Sequence, residues 1–195
     1  MTEEAWKTPS MDAVSAAFDA VPREEFLPAG SRSQAAHDGP LAIGHGQTNS
    51  QPRTVASMLR LLDVRPGQRV LDVGAGSGWT TALLGNLVGA DGLVVGVEVV
   101  PELAEWGERN VRRTSGAWAS VREATPGVLG VPEAAPYDRI LVSAEPGQMP
   151  PELLDQLADP GRMVLPVAGV MTVVVRKDGR DVITQHGHYR FVPLI

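Results

Sequence analysis

From Arg69 onward, short apolar runs alternate with longer stretches in which apolar residues return every three or four positions. The runs predict β-strands over 69–73, 93–98, 117–121, 138–144 and 162–167. Few polar residues interrupt them, as expected of parallel strands covered on both faces. Helices are predicted between them, over 79–88, 101–113 and 150–158. Leu83, Leu84, Leu87 and Val88 stripe the first; Pro101 opens the second, with Leu103 and Trp106 facing inward. Such alternation predicts an α/β fold, a doubly wound, Rossmann-like and mostly parallel sheet. The tail breaks the rhythm. Residues 172–176 and 181–184 are β-rich and flank Asp178-Gly179, a hairpin signal, and 188–192 predicts one more strand. The sheet should therefore end in an antiparallel C-terminal edge.

The first third reads differently. Met11, Val14, Phe18 and Val21 fall at helical spacing with Ser10 as cap, predicting a helix over 11–21. Two prolines in 21–28 end it, and 29–51 shows no periodicity. A connection of that length is usually functional or disordered. Pro52 then opens a helix carrying Val55, Met58, Leu59 and Leu62 on one face, ended by the turn Arg65-Pro-Gly67. The expected organisation is one domain over 1–195, with N-terminal helices and a substrate loop in 1–68 and a cofactor-binding core in 69–195.

Composition narrows the classes. Of 195 residues 43% are apolar and 21% charged, the balance of a globular protein, and no apolar run reaches membrane-spanning length. The N-terminal residues are acidic rather than basic-then-apolar, so no secretion signal is expected and the cytoplasm is the expected location. The chain has no cysteine, which excludes a disulfide scaffold, a thiolate nucleophile and cysteine-ligated metal. His37, His45, His186 and His188 show no metal-ligand spacing with carboxylates, so no metal is expected. A net charge of −6 disfavours a nucleic-acid partner, and Arg109, Arg112 and Arg113 read as a solvated helix face.

The chemistry concentrates at residues 70–78, Val-Leu-Asp-Val-Gly-Ala-Gly-Ser-Gly, a strand running into a glycine turn before a helix at Trp79. Gly74, Gly76 and Gly78 allow a ligand closer than a Cβ would. Glu98 ends the next strand, where a ribose diol would donate two hydrogen bonds. A dinucleotide site has G-x-G-x-x-G, but here Trp79 follows Gly78 and the acidic Asp72 leads in. That favours a cationic cofactor without phosphates, S-adenosylmethionine, over NAD; a tight turn without a ligand is the remaining reading. Asp72 is expected to anchor amides of the loop.

Several segments together resemble the protein-L-isoaspartate (D-aspartate) O-methyltransferases. They are Val21-Pro-Arg-Glu-Glu-Phe-Leu-Pro28, the run 40–52 with its Gln-Thr-x-Ser-x-Pro, the glycine turn, Val97-Glu98-Val-Val-Pro, Ala135-Pro-Tyr-Asp138, Gly161-Arg-Met-Val-Leu-Pro166 and Arg190-Phe-Val-Pro-Leu194. The resemblance implies methyl transfer from S-adenosylmethionine to the free carboxylate of L-isoaspartyl residues in damaged proteins or peptides. Their methyl esters collapse to succinimides that reopen partly to normal aspartate. Ser50 would orient the substrate carboxylate, with Thr48 supporting it and Gln47 and Ser143 lining the substrate side. The cofactor set would be Asp72, Gly74, Ala75, Gly76, Ser77, Gly78, Glu98, Val99 and Gly127. A Ser or Thr just before Pro52 is also an ordinary helix cap. Residues 40–51 would close over the pocket as a lid.

A carboxylate is ionised at neutral pH, with an unperturbed pKa of about 4, so it needs alignment rather than a general base. Alignment alone can contribute about 7–11 kcal/mol. One departure stands out. The family's Gly-Asp-Gly after the third strand of the core is here Thr125-Pro126-Gly127, and Pro126 has no side-chain acceptor for the adenine amino group. Two other readings follow from the sequence: an enzyme esterifying a normal aspartate on one dedicated peptide, and a non-catalytic cofactor-binding protein.

Overall fold

The structure is a computed structural model describing residues 11–194; the predicted cap Ser10 lies outside the described residues. Helix α1 (Met11–Ala20) leads through 3₁₀ turns at Arg23–Phe26 and Ala29–Gln34 to a hairpin, β1 (Leu41–Gly44) and β2 (Gln47–Asn49). Then come α2 (Pro52–Leu62), β3 (Arg69–Val73), α3 (Trp79–Val88), β4 (Leu93–Glu98), α4 (Pro101–Thr114) and β5 (Ala119–Glu123). The chain continues with β6 (Tyr137–Val142), α5 (Pro151–Asp155), β7 (Leu157–Val167), β8 (Val170–Lys177) and β9 (Arg180–His188).

Seven strands form one sheet in the order β5-β4-β3-β6-β7-β8-β9. Strands β3 to β7 pair in parallel, and β8 and β9 add antiparallel. Winding proceeds outward from β3 through β4 to β5, then restarts on β3's other side with β6. The crevice beyond the carboxyl ends of β3 and β6 is thus the topological switch point, where open α/β sheets bind ligands. Alternate residues of the central strands supply opposite faces. Val70 and Leu141 enter one apolar cluster with α1, α2 and α3, while Leu71, Val73, Ile140 and Val142 enter the other. Burial on both sides is why these strands read as unbroken apolar runs.

Several boundaries differ from expectation. Strand β5 starts at Ala119 rather than 117, because Ala119 N–H closes a turn on Gly116 O and the Trp118 indole packs sideways, donating to Gly85 O. The expected strand 138–144 is Tyr137–Val142, leaving Ser143 beyond its end. On α4 the buried face is Leu103, Ala104, Gly107, Asn110 and Val111. Trp106 is half-exposed, about 100° from that face's centre at 3.6 residues per turn. The helix expected over 150–158 is only Pro151–Asp155. It stops there because the buried Gln156 side chain turns to Val131 N–H and the carbonyls of Leu129 and Glu152, and Leu157 already pairs with Tyr137.

Strand β7 is accordingly longer than the expected 162–167, with residues 158–161 bulged between the Leu157–Tyr137 and Arg162–Arg139 pairs. Pro160-Gly161 sits in that bulge, where proline is tolerated within a sheet. Asp178 and Gly179 have φ of 53° and 70°, the two left-handed residues of a tight hairpin turn, and the strands they join exceed the expected lengths. The strand expected over 188–192 is replaced. Beyond His188, which still pairs with Val170, the chain leaves the sheet edge, and the Glu145 backbone brackets Pro193, its carbonyl accepting from Leu194 N–H and its N–H donating to Val192 O. Among the described residues no helix is long and apolar enough to cross a membrane.

Candidate functional site

A cavity of about 310 Å³ opens at the switch point. Its floor is the glycine turn after β3. Gly74 (φ 80°) and Gly76 (φ 53°) are left-handed there, and a Cβ on Gly76 would stand 3.1 Å from Ile43 Cδ1 of the hairpin. Gly78 (φ 87°) lies behind the floor, where its Cβ would strike Gly107 O of α4 at 2.8 Å. Four of the turn's amides are already engaged: Gly74 and Ala75 donate to Val97 O, Gly76 to Glu98 Oε2, and Gly78 to Ala75 O. A pyrophosphate cradle needs such amides free, so the turn suits a ligand without phosphates.

Glu98, 6% exposed, accepts Gly76 N–H at 2.8 Å on Oε2 and Val100 N–H at 3.0 Å on Oε1. Each oxygen keeps a further acceptor site, enough for the two hydroxyls of a ribose. Beyond it the cavity is mainly apolar, with Val97, Val99, Ala124, Val128 and Leu129 beside Thr125, Pro126 and Gly127. A flat base fits such a slot. An adenosine-containing sulfonium cofactor therefore suits the residues present.

Asp72 does not behave as expected. It is fully buried behind the floor, and its partners are hydroxyls rather than amides: Thr81 Oγ1 donates to Oδ2 at 2.7 Å and Ser143 Oγ to Oδ1 at 3.2 Å. The loop amide is held by Glu98 instead, because β3 ends in register beside β6 and points Asp72 toward Ser143. Desolvation raises the Asp72 pKa to about 6, against the lowering effect of the two hydroxyls; the charge of Glu98 raises it further.

The opposite wall is the β1–β2 hairpin, so residues 29–51 are not the structureless stretch expected. Apolar periodicity missed it because a buried cation organises it. The Arg23 guanidinium, 5% exposed, donates to Asn49 Oδ1 at 2.7 Å and to the carbonyls of His37, Gly39 and Ser50 at 2.8–2.9 Å. Longer bonds reach Ala35 O and Asn49 O. Every N–H finds an acceptor, which offsets the burial of its charge. Arg23 also stacks over Trp79, 5.4 Å from the ring centroid, and the Trp79 indole donates to Val21 O.

Gln47, Thr48 and Ser50 all line the cavity, across from Ser143. No hydrogen bond among the described residues engages their side chains, which leaves their donors and acceptors uncommitted at the cavity wall. The helix-cap reading of Ser50 and Thr48 fails. The cap position of α2 is Gln51 without a side-chain cap, and Asp38 Oδ1 accepts Arg53 N–H instead. Of the expected site residues, Gly74, Ala75, Gly76, Ser77, Glu98, Val99, Gly127, Gln47, Thr48, Ser50 and Ser143 border the cavity, whereas Asp72 and Gly78 support it from behind. Sequence reasoning missed Arg23, Asn49, Thr81 and Asn110, and the wall formed by Val192, Pro193 and Leu194. Arg23 had a signal, an arginine between two prolines in the 21–28 segment; Asn49 had none.

Comparison with known proteins agrees with this geometry. The sequence model of the family "Protein-L-isoaspartate(D-aspartate) O-methyltransferase" matches residues 3–195. A protein-L-isoaspartate O-methyltransferase of Methanocella arvoryzae is 43% identical over 183 residues, covering 91% of this chain and 96% of its own. One from Methanopyrus kandleri is 44% identical over 187 residues, covering 93% and 83%. Among solved structures, a protein-L-isoaspartate O-methyltransferase superposes with a TM-score of 0.82 at 31% identity, covering 94% of this chain and 61% of that one. A Plasmodium falciparum protein of the same description, in complex with S-adenosyl-L-homocysteine, gives 0.82 at 26% identity, covering 94% and 90%.

Proposed function

The chain belongs to the protein-L-isoaspartate (D-aspartate) O-methyltransferase family, and from that premise we propose how its cavity performs the reaction. The enzyme transfers a methyl group from S-adenosylmethionine to the free carboxylate of L-isoaspartyl residues in damaged proteins and peptides, a repair reaction. The observation that carries the reading is one cavity with a phosphate-averse glycine turn and Glu98 on one side and the uncommitted hairpin side chains on the other.

The bound cofactor supplies an electrophilic methyl carbon on a sulfonium. Glu98 would hold the ribose hydroxyls, Gly74 to Ser77 would let the amino-acid end lie close to the backbone, and Val99 and Gly127 would border the base. Ser50 would donate a hydrogen bond to one oxygen of the substrate carboxylate, which stays ionised and keeps its other oxygen turned toward the methyl carbon. Thr48 and Gln47, on β2 just before Ser50, brace the peptide. The ionised acceptor makes a general base unnecessary, so the chain's contribution is orientation and exclusion of water. Ser143, its proton donated to ionised Asp72, presents only lone pairs and so accepts from a donor such as a peptide N–H. We place the enzyme in the cytoplasm, acting on peptide rather than on nucleic acid or membrane.

The test is base-labile methyl incorporation into an isoaspartyl peptide and its aspartyl twin. Only the isoaspartyl peptide should be methylated. Methylation of a normal aspartate on one dedicated peptide would shift the reading to that specialised activity, and no transfer to any peptide would leave a cofactor-binding protein. In the same assay Ser50→Ala should lower kcat by about 10²-fold, the scale of misplacing the reacting atoms by about 1 Å, while S-adenosylhomocysteine still binds.

A further inference from the structure

Asn49 occupies the unspecified position of the Gln-Thr-x-Ser-x-Pro segment, and its amide joins the two halves of the site. It is 4% exposed; Oδ1 accepts Arg23 Nε–H at 2.7 Å, and Nδ2 donates to Ser77 Oγ at 3.2 Å. The orientation is forced, because a guanidinium has only donors and the amide must turn its oxygen toward it. Ser77 belongs to the glycine turn, and Asn110 Nδ2 of α4 fixes its carbonyl at 2.9 Å. Its hydroxyl oxygen accepts from Asn49, so its own proton remains to be donated into the cavity it borders. Donation thus runs one way, from the Arg23 cation through Asn49 and Ser77 to the cofactor side. The same guanidinium holds Ser50 O at 2.9 Å on the substrate side.

We infer that Asn49 is a positioning residue that couples the two ligands, so that cofactor and peptide each strengthen the other's binding. The inference rests on the function proposed above. A ligand acceptor taking the Ser77 proton polarises the chain back toward Arg23, and hydrogen bonds in series strengthen one another. The stiffened guanidinium then holds the Ser50 backbone in its peptide-binding position.

Calorimetric titration of an isoaspartyl peptide, with and without saturating S-adenosylhomocysteine, measures the coupling as a ratio of dissociation constants. The wild-type ratio should fall within about 5- to 150-fold, the usual range of such coupling. Reciprocity requires the same ratio when S-adenosylhomocysteine is titrated with and without peptide. Asn49→Ala should bring the ratio close to one while S-adenosylhomocysteine still binds, which also shows that the variant folds. Ser77→Ala breaks the same link without stranding the Arg23 Nε–H and should do likewise; it decides the matter if Asn49→Ala does not fold. A purely structural Asn49 would weaken both ligands and leave the ratio intact. A wild-type ratio of one, or an undiminished ratio in the variants, overturns the inference. A wild-type protein that neither binds nor methylates the peptide overturns the functional reading first, and the coupling with it.

Discussion

Two carboxylates end adjacent strands of the same sheet, yet their surroundings give them different work. Glu98 grips the backbone amides of Gly76 and Val100, the task expected of Asp72, while Asp72 sits deeper and gathers the hydroxyls of Thr81 and Ser143. Sequence places both acids correctly at strand ends; which one meets an amide depends on a register that no motif encodes. Burial has a consequence for pH. Desolvation lifts the Asp72 pKa from its ordinary value to about 6, so the folded state holds this proton more tightly than the unfolded chain does. The stabilisation is fully present below about pH 4 and is lost as pH rises through 6. At 1.36 kcal/mol per unit, the loss is about 3 kcal/mol. Asp72→Asn has nothing to titrate there. Denaturant unfolding at several pH values should show wild type losing about 3 kcal/mol relative to the variant between pH 4 and 7. A difference that stays flat across this range would contradict the burial argument.

Helix α4 and the glycine turn touch through backbone. The turn sits against Gly107, whose Cβ, if present, would stand 2.8 Å from Gly76 O and 3.3 Å from Gly78 N. Two effects oppose each other in Gly107→Ala. Alanine gains about 0.8–1.0 kcal/mol of helix propensity, but overpacking against rigid backbone costs about 1–3 kcal/mol. The clash should win, and because it displaces the turn, S-adenosylhomocysteine affinity should fall by about tenfold by calorimetry, with a lowered Tm. Unchanged affinity would show that the turn tolerates the shift. Helix and strand identity in the core was legible because β3, β4, β6, α2 and α3 are held by apolar surface, which leaves periodicity in the sequence. Elements held by polar contacts left none. The 3₁₀ turn and hairpin within 29–51 hang on Arg23. Helix α5 is cut short by Gln156, and the start of β7 hides behind Pro160-Gly161.

The cavity is assembled from six stretches far apart in sequence: the hairpin, the ends of β3, β4 and β6, the loop after β5, and the C-terminal crossing at Val192 to Leu194. The glycine turn could be recognised alone, but the C-terminal wall depends on the chain turning off the sheet edge to meet Glu145, which local sequence does not announce. A ligand bound at so many segments stabilises the arrangement they share. If 1–195 unfolds as one domain, heat should produce a single transition, and S-adenosylhomocysteine should move all of it. At a hundred times its Kd a ligand adds about 2.7 kcal/mol. For a chain of this size each kcal/mol shifts Tm by about 2–4 °C, so calorimetry should show a rise of about 5–11 °C. Two transitions, with only the later-melting core responding to ligand, would mean that residues 1–68 fold apart from the sheet. The substrate wall would then be a separate unit, and Arg23 could not hold it against the cofactor turn.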